Sequence, residues 1–308
     1  MAGGAVREPG ERRGPAGPAG GGGAGRPGPL GGEPGLPGPQ PAVVVLTIAG
    51  VGLGLKLKSS RKFQGSNDQG VHEGIMGWVQ DWITLLKLAS RRFRSSLDYY
   101  QFQIYQGTLV VRFLQEQGVN LNQRVLDLGC GEGGYSYALH IAGAEVVSLD
   151  LFPPAVPLAP FVCGNALFLP FANESFPFVF CASLIEHVPH PHLLLQEIKR
   201  VLCPDGLAYI SFPPFYSPVG GHQFKPYHLL GEKWAIRLTG YKYKGFAMCF
   251  GDWGLYPLTI RKVHQILKEI GFQIIDISTR FLPFNVACIP IIGEFLTWHV
   301  QFLVRKSQ

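Results

Sequence analysis

The chain predicts an α/β fold built on a mostly parallel sheet, and three stretches carry that expectation. The apolar run Val125–Leu128 breaks into Gly129, Gly131, Gly133 and Gly134. A second apolar run, 144–150, ends in the carboxylate Asp150. Third, Phe176–Ala182 is short, apolar and bounded by polar loop residues, the signature of a strand buried on both faces of a sheet.

The first stretch reads as a strand followed by a turn. Glycine accepts positive φ and lets the main chain lie flat against a nucleotide-like ligand that any side chain would push away. The spelling Gly129-x-Gly131-x-x-Gly134 also satisfies the dinucleotide pattern, so the glycines alone admit a nicotinamide oxidoreductase. Asp127 separates the two, because a carboxylate near the turn repels a pyrophosphate but suits a ligand carrying an ammonium and a sulfonium. S-adenosylmethionine is such a ligand.

Asp127 to Gly133, Asp-x-Gly-x-Gly-x-Gly, resembles the first motif of the class I S-adenosylmethionine-dependent methyltransferases, in particular the methyltransferase type 11-like enzymes that act on small molecules. The resemblance implies a Rossmann-like seven-stranded sheet, mostly parallel, with helices on both faces and an antiparallel edge strand. It also implies that Asp127, Gly129, Cys130 and Gly131 bind the cofactor. Asp150 then stands where an acid accepts hydrogen bonds from both ribose hydroxyls, the plainer alternative being an acid that caps the next turn. Leu151 is expected on the adenine face.

Gly164–Phe171 is similar to the family segment whose acidic or amide side chain reads the adenine edge. Asn165 could accept from the exocyclic amine and donate to a ring nitrogen, with Ala166 beside it. The other reading of Asn165 is a loop residue chosen for its turn geometry. Phe176–Ala182 is the fourth strand, with Pro177 at its start because proline donates no ladder hydrogen bond.

Ser183-Leu-Ile-Glu186-His187-Val-Pro189 is similar to the Glu-His-Val-Pro stretch of methyltransferases acting on quinone precursors, and it falls beyond the carboxyl end of a strand, where ligands bind in open α/β sheets. Some quinone-pathway O-methyltransferases hold a divalent metal with this Glu-His pair and a glutamate three residues earlier. Ser183 occupies that earlier position, so no metal is expected. Methyl transfer from a sulfonium is an in-line displacement, and alignment with exclusion of water can supply most of the acceleration. A base is needed only for a hydroxyl or an acidic carbon, and His187 is the first candidate. A histidine that merely fixes the loop is the alternative.

Gln196–Leu202 has helical spacing, Pro204-Asp205-Gly206 is a turn, and Leu207–Ser211 is the next strand. Phe272–Ser278 and Phe295–Val304 are the expected later strands. Ahead of them, after the strand ending at Ser211, about 212–257 reads as a lid over the acceptor site, rich in aromatics and carrying Lys225, Lys233, Arg237, Lys242 and Lys244. Its Gly220-Gly221-His222-Gln223 resembles an element of bacterial relatives and makes His222 the second candidate base. The aromatic and basic mixture fits an apolar pocket for a small or lipid-like acceptor, a base-stacking surface or the core of the lid itself. Nucleic acid is the weaker reading, since neither a recognised RNA-binding module nor a long basic run accompanies the insertion.

Residues 1–41 are dominated by glycine and proline without a strict three-residue period, and such a stretch cannot bury enough surface to offset its ordering entropy. Disorder is the expectation there. The stretch 42–72 is apolar and then basic; its apolar part, 42–55, reaches only about 21 Å as a helix against a hydrocarbon core of about 30 Å. A shallow membrane anchor is compatible with it. Residues 74–94, with Trp78, Trp82 and a basic end, read either as a lipid-surface helix or as an extra helix packed on the catalytic domain, which spans 73–308.

A formal net charge of +6 suits anionic substrates or membrane surfaces without demanding nucleic acid. The six cysteines show no paired metal spacing and read as reduced thiols, which points to an intracellular and most simply cytoplasmic protein; membrane association and mitochondrial targeting are the alternatives. Two functional classes stay open: a methyltransferase for a small or lipid-like acceptor, and a non-catalytic cofactor-binding or assembly protein of the same fold. An RNA or protein methyltransferase is a further alternative.

Overall fold

The computed structural model describes residues 68–307 apart from 93, 155–159, 241–253 and 283–284, with side chains described from residue 77 onward. The expected tail 1–41 and the apolar part of 42–72 lie outside the described residues, as do Lys242, Lys244 and Cys249.

Two helices precede the sheet, α1 (Asp68–Arg91) and α2 (Ser96–Glu116). Ser95 starts α2 by accepting from the Asp98 N–H, satisfying one of the amides a helix start leaves open. Then come β1 (Arg124–Leu128), α3 (Gly134–Ile141), β2 (Glu145–Asp150), β3 (Phe161–Cys163) and β4 (Phe176–Ala182). After β4 the chain runs through α4 (Pro191–Val201), β5 (Leu202–Phe212), α5 (Glu232–Thr239), α6 (Ile260–Ile270), β6 (Phe272–Arg280), α7 (Ile292–Leu296) and β7 (His299–Lys306).

The sheet order is β3-β2-β1-β4-β5-β7-β6. β7 runs antiparallel to both neighbours, and the other paired strands run parallel. The seven-stranded, mostly parallel α/β architecture read from the sequence is therefore present, with the antiparallel strand one place in from the edge. Helices cover both faces. α4 and α6 bury Leu194, Leu195, Ile198, Val263, Ile266 and Leu267 against one side, while α2 and α3 bury Val110, Leu114, Tyr135 and Leu139 against the other. Burial on both faces is why β4 is apolar throughout and why Val125, Leu126 and Leu128 of β1 are apolar rather than alternating with polar residues.

Two expected elements take a different form. Pro204-Asp205-Gly206 is a bulge within β5: pairing with β4 passes from Leu202 opposite Phe176 to Leu207 opposite Phe178, and Asp205 adopts a φ of 59° there. The expected strand 295–304 begins only at His299, because Phe295 and Leu296 belong to α7. That short helix serves a tertiary purpose. Its Glu294 carboxylate accepts the Ile260 and Arg261 N–H groups and caps the start of α6.

α1 docks on the domain through its tryptophans. The indole N–H groups of Trp78 and Trp82 both donate to the Phe281 carbonyl, and Trp82 meets Trp298 edge to face with ring centres 4.8 Å apart. Of the two readings of 74–94, the packed helix is the one observed. Among the described residues no helix is long and apolar enough to cross a membrane.

Candidate functional site

The strand order reverses direction between β1 and β4, and an open α/β sheet offers its ligand crevice beyond the carboxyl ends of the strands at such a point. β1 ends there in the glycine turn. Gly129, Gly131 and Gly133 have φ of 78°, 54° and 85°, values that a side chain rarely permits. The turn is tied to β2, since the N–H groups of Gly129 and Cys130 both reach the Leu149 carbonyl, at 2.8 and 3.2 Å.

Asp150 closes the same corner. Its Oδ2 accepts from Gly131 N–H at 2.9 Å and its Oδ1 from Leu151 N–H at 2.7 Å, so one carboxylate sets the spacing between the glycine turn and the end of β2. Oδ1 also accepts from Phe152 N–H at 3.4 Å, and Oδ2 keeps a further lone pair for a ligand hydroxyl. Leu151 is exposed at this end of the sheet.

Asp127 lies deeper than its sequence position suggests. It is 1% exposed, and its carboxylate accepts from the Ser136 hydroxyl at 2.6 Å, which in turn lies 2.8 Å from the Ser148 hydroxyl. Burial pushes its carboxyl up to about 7, with the nearby Asp150 charge adding to the rise and the Ser136 hydrogen bonds opposing it. The residue thus braces β1, α3 and β2 beneath the turn. Cys130 is buried, and burial raises its thiol well above the ordinary range, which keeps it a neutral packing group.

Asn165 serves its loop. Its Oδ1 accepts from Leu167 N–H at 2.9 Å and its carbonyl accepts from Phe168 N–H, a side-chain-stabilised turn of the kind weighed as the alternative. The side chain is exposed, while Ala166 is buried beside it.

Beyond β4, the turn Ile185–His187 carries Glu186 and His187. Leu184 bridges the two halves of the crevice: a Cβ at Gly129 would lie 3.0 Å from both of its methyl carbons. The Glu186 backbone carbonyl accepts from Tyr256 N–H, and the His187 Nδ1 lies 3.1 Å from the Gly254 carbonyl. A carbonyl only accepts, so His187 carries its proton on Nδ1 and presents the Nε2 lone pair toward Glu186.

The lid brings His222 to the same point. The Nε2 atoms of His187 and His222 each lie 3.8 Å from Glu186 Oε1, and the two rings meet edge to face at 4.9 Å. The two candidate bases thus form one cluster around a carboxylate that is 1% exposed. Burial pushes Glu186 up to about 8 and His187 down to about 4. It holds His222 well below the ordinary histidine range, helped by His187, His299, Lys225 and Arg92.

The expectation of no metal turns on Ser183 standing where a third donor is expected; the fold places His222, 35 residues beyond His187, so that Glu186, His187 and His222 each offer a donor atom within 4.8 Å of the others.

Local packing explains how the lid aims His222. A Cβ at Gly221 would lie 2.1 Å from His228 Nδ1, and His228 Nε2 lies 2.9 Å from the Phe215 carbonyl, so the backbone at Gly221 rests directly on a buried ring. The next residue, His222, has a φ of 48°, a conformation costly for a side-chain-bearing residue. Phe215, Phe224, Ala235 and Leu255 form a small core of the lid's own.

Sequence reasoning missed the part played by α2 and β6. Gln103 lies against the turn, its Oε1 accepting from Gly134 N–H at 3.3 Å and its Nε2 standing 3.2 Å from where a Cβ on Gly131 would be. Arg280, buried at the end of β6, donates to the Tyr135 hydroxyl at 2.8 Å, which itself lies 2.7 Å from Gln106 of α2. The one signal available was polar residues recurring on the buried face of an amphipathic helix.

A protein-family model described as a methyltransferase domain matches residues 126–210. An uncharacterised methyltransferase of Mycobacteroides abscessus is 30% identical over 211 residues, covering 62% of this chain and 80% of its own. One of Mycobacterium leprae is 33% identical over 195 residues, covering 59% of this chain and 71% of its own. Among solved structures, a SAM-dependent methyltransferase from Methanosarcina mazei superposes with a TM-score of 0.45 at 17% identity, over 63% of this chain and 97% of that one.

Proposed function

The chain belongs to the class I S-adenosylmethionine-dependent methyltransferase family, and from that premise we propose that it transfers a methyl group in line from S-adenosylmethionine to a small or lipid-like acceptor. The observation that carries the cofactor half is the Asp150 carboxylate, held by Gly131 and Leu151 N–H groups beside a turn with three positive-φ glycines. That corner suits a nucleoside: the carboxylate takes ribose hydroxyls, Leu151 offers an apolar face, and the glycines leave the backbone bare. Asp127 supports the reading from below, because a nearby cationic ligand favours the ionised form of its buried carboxyl.

When bound, the cofactor supplies an electrophilic methyl group on a sulfonium. The chain's own residues position and shield it. Leu184 closes over Gly129 between the cofactor corner and the acceptor end, and the Tyr256-to-Glu186 hydrogen bond fastens the end of the lid to that loop. The Nε2 lone pair of His187 or His222, where no ligand occupies it, can take a proton from an acceptor hydroxyl or acidic carbon.

The acceptor class is supported by the lid surface. Tyr216, Leu229, Leu230 and Trp234 are all more than 40% exposed there, apolar side chains suited to an acyl or aromatic portion. Lys225 and Arg237 on the same segment suit an anionic end. A non-catalytic role for the same cofactor site is the second reading.

Calorimetry of the purified chain with S-adenosylmethionine and with a nicotinamide dinucleotide tests the donor: saturable binding of the former alone is expected, and tight nicotinamide binding overturns the proposal. Incubating the chain with methyl-labelled cofactor and fractionated cell extract tests the acceptor. Label is expected in lipid or small-molecule fractions; label mainly in RNA or protein removes the proposed substrate class, and no incorporation at all favours the non-catalytic reading.

A further inference from the structure

We propose that Glu186, His187 and His222 form a binding site for one divalent transition-metal ion, with the third ligand delivered by the lid. The three residues each offer a donor atom, and these atoms all lie within 4.8 Å of one another. Two imidazole nitrogens and a carboxylate oxygen are the donor set of three-ligand zinc sites and of related iron, cobalt and manganese sites, which leave a further position for water or for an oxygen of the substrate. The two carboxylate-to-imidazole edges are 3.8 Å. With bonds of about 2.0–2.1 Å a tetrahedral ion needs edges of about 3.3 Å, so the donors close by about 0.5 Å along those two edges to take the ion.

An independent observation points to the same ligand. Glu186 is 1% exposed and neither of its carboxylate oxygens receives a hydrogen bond among the described residues. A buried carboxyl group without a donor is expensive, and native folds pair such oxygens with hydrogen-bond donors or with a metal. Among the described residues, the groups facing it are two imidazole nitrogens rather than an arginine or lysine. The surroundings also orient the ligands as metal sites do. The Gly254 carbonyl fixes the His187 Nδ1 proton and turns Nε2 toward Glu186, the backbone-held arrangement that sets the tautomer of a ligating histidine. His222 reaches the cluster only because its backbone is held at a φ of 48° on the Gly220-Gly221 pedestal.

The position of His222 makes the ion a clasp as well as a centre. Glu186 and His187 belong to the loop after β4, whereas His222 belongs to the lid, so a bound ion joins the lid to the sheet. Removing it is expected to loosen the lid without disturbing the glycine turn.

The test uses the full chain, freed of metal with a chelator and titrated with Co2+ as a visible probe and with Zn2+ in calorimetry. One ion per chain is expected, with the d–d spectrum of low-coordinate cobalt. Glu186→Gln, which keeps the side-chain shape, and His222→Ala are each expected to weaken binding at least about 100-fold, while His264→Ala on the outer helix leaves it unchanged. Hydrogen exchange across 214–239 should slow when Zn2+ is added to the parent chain and not to Glu186→Gln. Binding that is unsaturable, or equal in the parent chain and Glu186→Gln, overturns the site; should His222→Ala fail to fold, the isosteric Glu186→Gln decides alone. Cofactor calorimetry run in parallel keeps the two readings apart, because loss of metal with intact S-adenosylmethionine binding removes this site and leaves the methyltransferase.

Discussion

Replacing Asp127 by asparagine should make the protein more stable above neutral pH and leave it nearly unchanged in acid. The carboxylate is buried beneath the glycine turn, facing Ser136 of α3, Ser148 of β2 and, through space, Asp150, with no cationic side chain hydrogen-bonded to it among the described residues. Its carboxyl rises from 3.8 to about 7 on folding. Below the lower value both states hold the proton and Asp127 contributes no pH dependence. Between the two values the unfolded chain has released its proton while the folded chain keeps it, so stability falls as pH rises, by about 1.4 kcal/mol for each pH unit. The full loss is about 4 kcal/mol and is complete above about pH 7. Asparagine accepts the same Ser136 hydrogen bond without a charge to bury. Urea unfolding of both proteins at a series of pH values should therefore show the variant gaining steadily from about pH 4 and levelling off near 7. Subtracting the two curves cancels Glu186 and the histidines, which titrate in both. A difference that is flat with pH would mean that the carboxylate is ionised and solvated in the folded protein, and the bracing role assigned to it would be wrong.

The cofactor corner should fail in two ways: Gly129→Val places a branched side chain at a φ of 78° with its Cβ 3.0 Å from Leu184, and Asp150→Ala removes the acceptor for Gly131 and Leu151 N–H. Each is expected to lower S-adenosylmethionine affinity by at least about 100-fold, or about 3 kcal/mol, in calorimetry; unchanged affinity in both would move the cofactor elsewhere. Trp82→Ala removes a hydrogen bond to Phe281 and an edge contact with Trp298, and should lower stability by about 2–4 kcal/mol in thermal or urea unfolding. Equal stability would show α1 undocked and return the lipid-surface reading. Gly221→Ala drives a methyl into the His228 ring, at 2.1 Å, and should cost about 1–3 kcal/mol while speeding hydrogen exchange in the lid ahead of the sheet.

The parallel half of the fold is legible because each strand carries its own signal. Val125–Leu128, 144–150 and Phe176–Ala182 are apolar on both faces and stop at glycine, aspartate or serine, and observed β1, β2 and β4 lie within them to a residue or two at the ends. The antiparallel end is less legible. Phe295 and Leu296 continue an apolar run into β7, yet they fold as α7 because Glu294 is needed at the start of α6, a long-range demand that leaves no periodic trace in the local sequence. Asp127 illustrates a different limit. Its place in the motif is plain, but whether its carboxylate faces the ligand or the core depends on Ser136 and Ser148, one from the helix after it and one from the neighbouring strand.

The acceptor end marks where residue order stops being informative. Glu186 and His187 are adjacent in sequence, whereas His222 stands apart in the lid and reads from sequence as an alternative to His187 for one proton-accepting role. The fold makes them neighbours, with both Nε2 atoms at the same distance from one carboxylate oxygen, and the proposed metal site makes the two histidines parts of one ligand set rather than competitors. The same change disposes of the argument from Ser183, because a ligand set needs donors close in space and a lid can supply one from any distance along the chain. It follows that substitutions at His187 and His222 should not behave as independent losses. If each acts through Glu186, the double variant should be little worse than either single one, whereas two separate bases would give effects that multiply.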